Sequence, residues 1–306
     1  MYCLDEEIKE KGTAVALGYF DGIHIGHKEV LNKALSVAEE NGLIPVVVLF
    51  DIHPRKLLSG KIPPMLTSEE SKREILSEMG FRVFDFNFRE GMNYSPDEFV
   101  EKILVDKLNA GAVSCGFDYH YGKGGEGNCE TLREELATRG IGFYSARPVA
   151  LDGDIVSSTK IRKLIGEGEI EKANAMLGGY FSYDFTVKKG DGRGRVMGFP
   201  TINQFFPEDF IVPKFGVYMS LTKLEGKTYL SVTNVGIRPT VSEDGARSET
   251  CILDFSGDLY GKKVQVQLVK YLRNEIKFPD IAALTEAIGK DIECARKAYK
   301  EVKING

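Results

Sequence analysis

Two of the four histidines in the chain stand three residues apart, in Gly18-Tyr19-Phe20-Asp21-Gly22-Ile23-His24-Ile25-Gly26-His27. Imidazoles at that spacing suit either metal ligation or hydrogen-bond donation to a phosphate that gains charge as it reacts. The pair has no cysteine at metal-ligand spacing, and a structural zinc site wants four ligands, so zinc is set aside. A single histidine beside a turn more often caps or packs than catalyses. Here Gly18, Gly22 and Gly26 interleave with the pair, at the junction of an apolar run, Thr13-Ala14-Val15-Ala16-Leu17, and a helical pattern. That helix carries Val30, Leu31, Ala34, Leu35 and Ala38 on one face, with Gly42 as its stop. Strand, glycine turn and helix N-terminus together present free backbone N–H groups and a positive dipole end to an anion. The segment therefore points to nucleotidyl transfer. His24 and His27 are the candidate catalytic pair, and Gly18, Phe20, Asp21, Gly22 and Gly26 form the candidate binding turn.

Three further patches in the first half suit a nucleotide. Phe50-Asp51-Ile52-His53-Pro54 places His53 directly after an apolar run. Gly116-Phe117-Asp118-Tyr119-His120-Tyr121-Gly122-Lys123-Gly124-Gly125-Glu126-Gly127 mixes glycines with aromatics, suited to a planar ring and a phosphate; alone it equally fits a mobile loop. Ser157-Ser158-Thr159-Lys160-Ile161-Arg162 either caps the helix that follows or clamps phosphate oxygens, with Ser157, Ser158 and Arg162 as candidates.

The second half has its own dense motif, from Gly190 through Arg195, Gly198 and Pro200 to Asn203. Its four glycines free the backbone to wrap phosphates. Thr201 and Asn203 project to one side if the segment is extended, a hard-oxygen pair for Mg²⁺. A glycine-rich hairpin with a polar face explains this motif equally well on its own. Asn234-Val235-Gly236-Ile237-Arg238-Pro239-Thr240 and Ser248-Glu249-Thr250-Cys251 follow.

These residues need elements to hold them. The first half alternates strand-like runs (Ile44–Phe50, Arg82–Phe86, Ala110–Gly116, Ile141–Ala146) with helical patterns. One such helix starts at Thr67-Ser68-Glu69-Glu70 and carries Ile75, Leu76 and Met79. Another starts at Ser95-Pro96-Asp97-Glu98 and carries Phe99, Ile103, Leu104 and Leu108. Repeated β-α units imply an α/β domain with a Rossmann-like parallel sheet, ligands binding beyond its carboxyl ends. From Ser182 the pattern changes to short runs (Phe185–Lys188, Val217–Leu224, Tyr229–Val235, Glu249–Phe255, Val264–Lys270) separated by turns. This predicts a small antiparallel β-barrel, followed by a terminal helix with Ile281, Leu284, Ile288, Ile292 and Ala295 on one face. The expected domains are residues 1–179 and 180–306.

A chain of 306 residues has room for two such cores. A net charge of −5 offers no general attraction to nucleic acid. Five scattered cysteines without a Cys-x-x-Cys fit a reduced, cytoplasmic protein. The start of the chain has no apolar signal core, and no apolar run approaches the ~20 residues that span a bilayer. Oligomeric state is open.

In order and spacing, the Gly18–His27, Phe50–Pro54, Gly116–Gly122 and Ser157–Arg162 segments resemble the adenylyltransferase half of bacterial bifunctional riboflavin kinase/FAD synthetases. The second half resembles their riboflavin kinase module, with Pro200-Thr201-Ile202-Asn203 in place of the usual Pro-Thr-Ala-Asn. Ile52 stands where proline is usual, Tyr119-His120-Tyr121 replaces a Phe-Arg-Phe type sequence, and Phe185 replaces a frequent glycine. The resemblance implies phosphorylation of riboflavin to FMN and adenylylation of FMN to FAD, with ATP and Mg²⁺. It implies that His24 and His27 stabilise the reacting α-phosphate, that Asp118 shapes the nucleotide site, and that Ser158 and Arg162 hold phosphates. In the kinase half it implies Glu249 as the base, Thr201 and Asn203 at the metal, and Gly190, Arg195, Gly198, Pro200, Asn234 and Arg238 as binding residues. A single working module, or a flavin sensor without turnover, are the alternatives. The His-Ile-Gly-His string also resembles class I aminoacyl-tRNA synthetases. Those need an amino-acid pocket and a tRNA-binding domain, usually basic, whereas this chain is short and acidic and its second half reads as a small barrel.

Overall fold

The computed structural model describes residues 6–50, 60, 62–190, 194, 197–237 and 245–304. His53, Arg195 and Arg238 lie outside the described residues. The chain divides into two compact units, residues 1–63 with 69–157, and residues 64–68 with 158–306.

In the first unit, β1 (Thr13–Leu17), β2 (Ile44–Phe50), β3 (Arg82–Phe86), β4 (Ala110–Gly116) and β5 (Gly142–Ala146) form a parallel sheet in the order β3-β2-β1-β4-β5. Every residue of the central β1 is buried, because helices cover both faces. Val15 and Leu17 pack with Ile103, Leu104 and Leu132 on one side, while Ala16 packs with Leu31, Ala34 and Leu76 on the other. This is the period-two alternation of a strand placed between two layers. The Ile25–Asn41 helix buries Val30, Leu31, Ala34, Val37 and Ala38, and ends on Gly42, whose left-handed φ of 66° lets its N–H reach Ala38 O. Ser95 and Glu98 form the expected capping box, and the Pro96–Phe99 helix runs on into a π-helical segment, Val100–Val105. In the Glu69–Glu78 helix Leu76 is buried, but Ile75 is 38% exposed and Lys72 takes the second buried position. A hairpin of β6 (Ala150–Leu151) and β7 (Asp154–Ile155) completes the unit.

The second unit begins with the Ser158–Glu167 and Ile170–Leu177 helices. Six antiparallel strands follow: β8 (Phe181–Tyr183), β9 (Thr201–Phe205), β10 (Gly216–Leu224), β11 (Lys227–Gly236), β12 (Arg247–Ile252) and β13 (Gln265–Arg273), in the order β8-β13-β10-β11-β12-β9. The run Phe185–Lys188 is not one of them. Gln204 Nε2 donates to Phe185 O at 2.6 Å, and the Phe185 ring packs against Tyr183, Phe206 and Phe210, which takes this backbone out of a ladder. Thr186 and Lys188 still bridge singly to Lys263 and Asn203, drawing the two ends of the curled sheet together.

One face of β10 (Val217, Met219, Leu221) packs on Ile292, Ala295 and Ala298 of the terminal helix Ile281–Ile304. Ile281, expected on that stripe, is 70% exposed, because the cluster on the sheet takes the stripe only from Ile292 onward. Arg273 donates twice to Asp291, at 2.8 and 2.7 Å, and ties β13 to the helix. The other face of β10 carries a ladder of buried hydroxyls: Ser220 to Thr233 at 2.8 Å, Thr233 to Thr250 at 2.8 Å, and Thr222 to Ser231 at 2.7 Å. Asn174 anchors the Ile170–Leu177 helix. Its Nδ2 donates to Leu268 O at 2.9 Å and its Oδ1 accepts from Phe181 N at 2.7 Å. Residues 64–68 lie along this unit as a short strap, with Met65 N donating to Asp209 O and Ile211 N to Met65 O.

Candidate active sites

Leu17 pairs with Cys115, so the loops leaving β1 and β4 start side by side. The chain crosses from one side of β1 to the other between β3 and β4. This is the switch point where open parallel sheets bind ligands. The β1 loop is tightly wound. Phe20, Gly22 and Ile23 adopt positive φ values of 54°, 83° and 39°. Such backbone is costly for Phe and Ile, and it clusters at functional sites. A Cβ on Gly18 would fall 2.9 Å from the Phe20 ring, so glycine makes room for that ring to fold back under the loop. Asp21 and His24 are buried with it.

His24 caps the helix: its Nδ1 accepts the His27 backbone N–H at 3.2 Å. A ring nitrogen that accepts carries no proton, so the proton of His24 sits on Nε2. The two imidazoles stack with centroids 3.5 Å apart, and the Phe20 ring meets His27 edge-on at 5.4 Å. A Cβ on Gly26 would lie 3.3 Å from the His24 ring, which restricts this position to glycine or a small adjustment. Burial, then the closeness of the His24 ring and the charge of Lys72, hold His27 well below the ordinary histidine value. His27 is therefore neutral at pH 7, and its buried Nδ1 has no hydrogen-bond partner among the described residues.

This shift predicts an acid-side stability loss. A depressed histidine pKa means that the native state resists a proton the unfolded chain accepts, so the contribution is complete above about pH 6.5. It fades as pH falls toward the lowered native value. The melting temperature of wild type should drop more steeply between pH 7 and pH 5 than that of His27→Gln. Parallel curves would show that His27 does not set the slope.

The Gly116–Gly127 loop differs from the cradle expected of it. Tyr121 is buried against Phe99, and Tyr119 packs on the same core. Of the loop's aromatics, Phe117 is the exposed one, beside exposed Asp118. Tyr121 and Gly127 bridge, and the His120 ring bonds Gly125 O at 3.1 Å, so the loop is pinned. Ser158 and Arg162 belong to the second unit, where Arg162 Nε donates to Pro64 O at 2.7 Å; Ser157 ends the first.

In the second unit the sheet register places three candidates in one row. Asn234 on β11 opposes Glu249 on β12, which opposes Asn203 on β9. Directly opposed residues share a face. Thr201, two residues from Asn203, joins that face. A Cβ at Gly190 would run into the Asn203 amide, and one at Gly194 would run into Phe199 O and approach Thr201 Oγ1 at 3.3 Å. The glycine motif thus lies directly on the hydroxyl and the amide. Gly198, at φ 82°, turns the chain into Pro200.

Several partners were not singled out from sequence. Arg247 Nη2 donates to Glu249 Oε1, and Asn234 Nδ2 donates to Glu275 Oε1 at 3.2 Å. A pocket of about 210 Å³ opens beside Thr201, lined also by Val187, Pro200, Thr250, Phe255 and Tyr260. The Phe255–Tyr260 loop carries no periodicity, although its Gly257 and Asp258 were a turn signal.

A family model described as FAD synthetase matches residues 6–160, and one described as riboflavin kinase matches residues 177–299. A bifunctional riboflavin kinase/FMN adenylyltransferase of Listeria monocytogenes is 36% identical over 306 residues, covering 97% of this chain and 96% of the relative. The chain belongs to this bifunctional family. The relative of the same name in Bacillus subtilis is 33% identical over 298 residues, covering 95% of this chain and 94% of its own length. A solved Streptococcus pneumoniae structure, named as a macrolide-efflux protein, superposes with a TM-score of 0.82 at 28% identity over 93% of this chain and 94% of that one. Both modules of the bifunctional family are thus present in one chain and in the family's order. No helix among the described residues is long and apolar enough to cross a membrane.

Proposed function

We propose that the protein phosphorylates riboflavin with ATP to give FMN, then joins FMN to AMP from a second ATP to give FAD and pyrophosphate. The observation that carries this is the match of both modules, at 36% identity across nearly the whole chain, to a protein named for both activities. Incubation with riboflavin, ATP and Mg²⁺ should yield FMN and then FAD on separation of the flavins. FMN alone, or FAD only from supplied FMN, would leave one module idle and overturn the bifunctional reading. A cytoplasmic location belongs to the same proposal. It is supported by Cys115, Cys129, Cys251 and Cys294, free thiols among the described residues.

In adenylyl transfer a phosphate oxygen of FMN attacks the α-phosphorus of ATP, and the bond to pyrophosphate breaks. We assign the Nε2–H of His24 and the neutral His27 ring to the α-phosphate oxygens as charge builds on them. A buried Nδ1 without a partner costs about 1–3 kcal/mol, and a substrate polar atom at His27 would offset that. Gly18, Phe20, Asp21, Gly22 and Gly26 shape the turn. Asp118 borders the nucleotide, and Ser157, Ser158 and Arg162 hold phosphates.

In the kinase reaction the ribityl 5′-hydroxyl attacks the γ-phosphorus, the bond from that phosphorus to the bridging oxygen of ADP breaks and ADP leaves, and Glu249 takes the hydroxyl proton. Arg247 fixes the carboxylate, and Asn234 stands beside it. The pocket at Pro200 and Thr201 receives ATP. The Thr201 hydroxyl and the Asn203 amide oxygen, with the glycine motif laid against them, fit a small hard cation and would hold Mg²⁺. When bound, it neutralises phosphate charge.

We divide the two activities between residues 1–179 and 180–306. The compact units part earlier, at Ser157/Ser158, and the interval holds the proposed phosphate residues Ser158 and Arg162. A fragment of residues 1–179 should therefore make FAD from FMN, whereas residues 1–157 should fold yet fail. Residues 158–306 should phosphorylate riboflavin and melt at a higher temperature than 180–306, which loses the Asn174 anchor to β13. FAD synthesis by 1–157 at the rate of 1–179 would remove Ser158 and Arg162 from the site.

A further inference from the structure

Lys72 is the one lysine among the described residues that is fully buried, at 2% exposure. Its Nζ meets a single carboxylate, Glu69, at 2.8 Å, and that carboxylate is 43% exposed. Among the described residues, the ammonium also donates to the Tyr19 carbonyl at 3.4 Å and sits over the Tyr19 ring, 4.4 Å from its centroid. Burying an ammonium is unfavourable unless it is well paired, and apolar side chains in the place of a buried ion pair are often as stable or more so. Stability does not account for a lysine at this position.

Tyr19 lies between Gly18 and the strained Phe20, and Phe20 places its ring edge on His27. We propose that Lys72 is a positioning residue for adenylyl transfer, gripping Tyr19 by carbonyl and ring so that Phe20 and His27 keep their places in the turn. The proposal rests on the assignment of that turn as the adenylyl-transfer site. A second effect follows from the same closeness. Lys72 is near enough to His27 for its charge to oppose protonation there. The lysine thus adds to the burial that keeps His27 neutral, and its positive potential favours the negative charge that develops in the reaction. Neither effect requires Lys72 to touch the substrate.

Lys72→Met in the full chain should lower kcat for FAD formation from FMN by about 10- to 100-fold, the scale of a displaced reacting group. KM for ATP and FMN should change much less, and riboflavin phosphorylation should be unaffected. The His27 imidazole, followed by NMR through a pH titration, should move up toward the ordinary histidine value. A merely structural lysine would alter the melting temperature without that titration shift. Near wild-type FAD formation, or an unmoved His27 titration, overturns the proposal. If Lys72→Met loses its cooperative melt, Tyr19→Leu removes the ring contact and leaves the charge. It should still lower FAD formation several-fold with the kinase intact, and wild-type FAD formation in that variant overturns the proposal too. His24→Ala and His27→Ala in the same assay separate the two failures. If they also leave FAD formation intact, the assignment of the turn falls. If they abolish it while Lys72→Met does not, only the lysine proposal falls.

Discussion

Glu249→Gln should keep most riboflavin and ATP binding and lower kcat for riboflavin phosphorylation by roughly 10²–10⁴-fold, nearer the lower figure. Glutamine keeps the shape of the side chain and an oxygen that accepts from Arg247, so the row of Asn234, residue 249 and Asn203 persists. What it loses is the capacity to take a proton. In a loose phosphoryl-transfer transition state the hydroxyl proton leaves late, which tempers the loss. FAD formation from supplied FMN should be unchanged, since its groups lie in other motifs. A near wild-type kcat for phosphorylation would sink Glu249 as the base.

His24→Ala and His27→Ala should each reduce adenylyl transfer by roughly 10²–10³-fold, the cost of losing one transition-state donor. The two positions differ in what else they lose. His24 also caps the Ile25–Asn41 helix, so alanine there gives up about 0.5–2 kcal/mol of helix stability as well. His24→Asn restores a capping oxygen and separates the two roles: its melting temperature should recover while its adenylyl transfer stays low. Kinase activity serves as the internal control. Equal losses in both activities would mean that the pair holds the fold and performs no chemistry.

The first unit was legible where local patterns and tertiary demands agree. β1 is apolar because it is covered on both faces, and the helix after it announces itself by Val30, Leu31 and Ala34 and stops on Gly42. The Ser95 capping box reads directly. Lys72 does not, because nothing in Glu-Glu-Ser-Lys-Arg-Glu distinguishes a buried lysine from a solvated one; its burial is decided by Tyr19, 53 residues away. The aromatics of the Gly116–Gly127 loop misled for a related reason: their composition suits a ligand, but the core claims Tyr119 and Tyr121 first.

In the second unit, alternation gave nearly all of the longer strands but not their two-sidedness. Ser220 and Thr222 lie buried because hydroxyls on neighbouring strands satisfy one another, which alternation along one strand does not display. The Ile170–Leu177 helix lacks a side-chain cap and follows Gly166 and Gly168, so its start carries no signal. The row formed by Asn234, Glu249 and Asn203 is a product of register. No spacing along the chain displays it.

The strap at residues 64–68 has a consequence for how the protein is made. Met65 pairs beside Phe210, which the ribosome adds about 145 residues later. At roughly 5–20 residues per second, the strap waits on the order of ten seconds or more for its partner. By then β3, β4 and β5 have been synthesised, while the strap's own backbone groups still await their partners. The second unit is therefore finished by capturing a piece of chain that left the ribosome before most of the first.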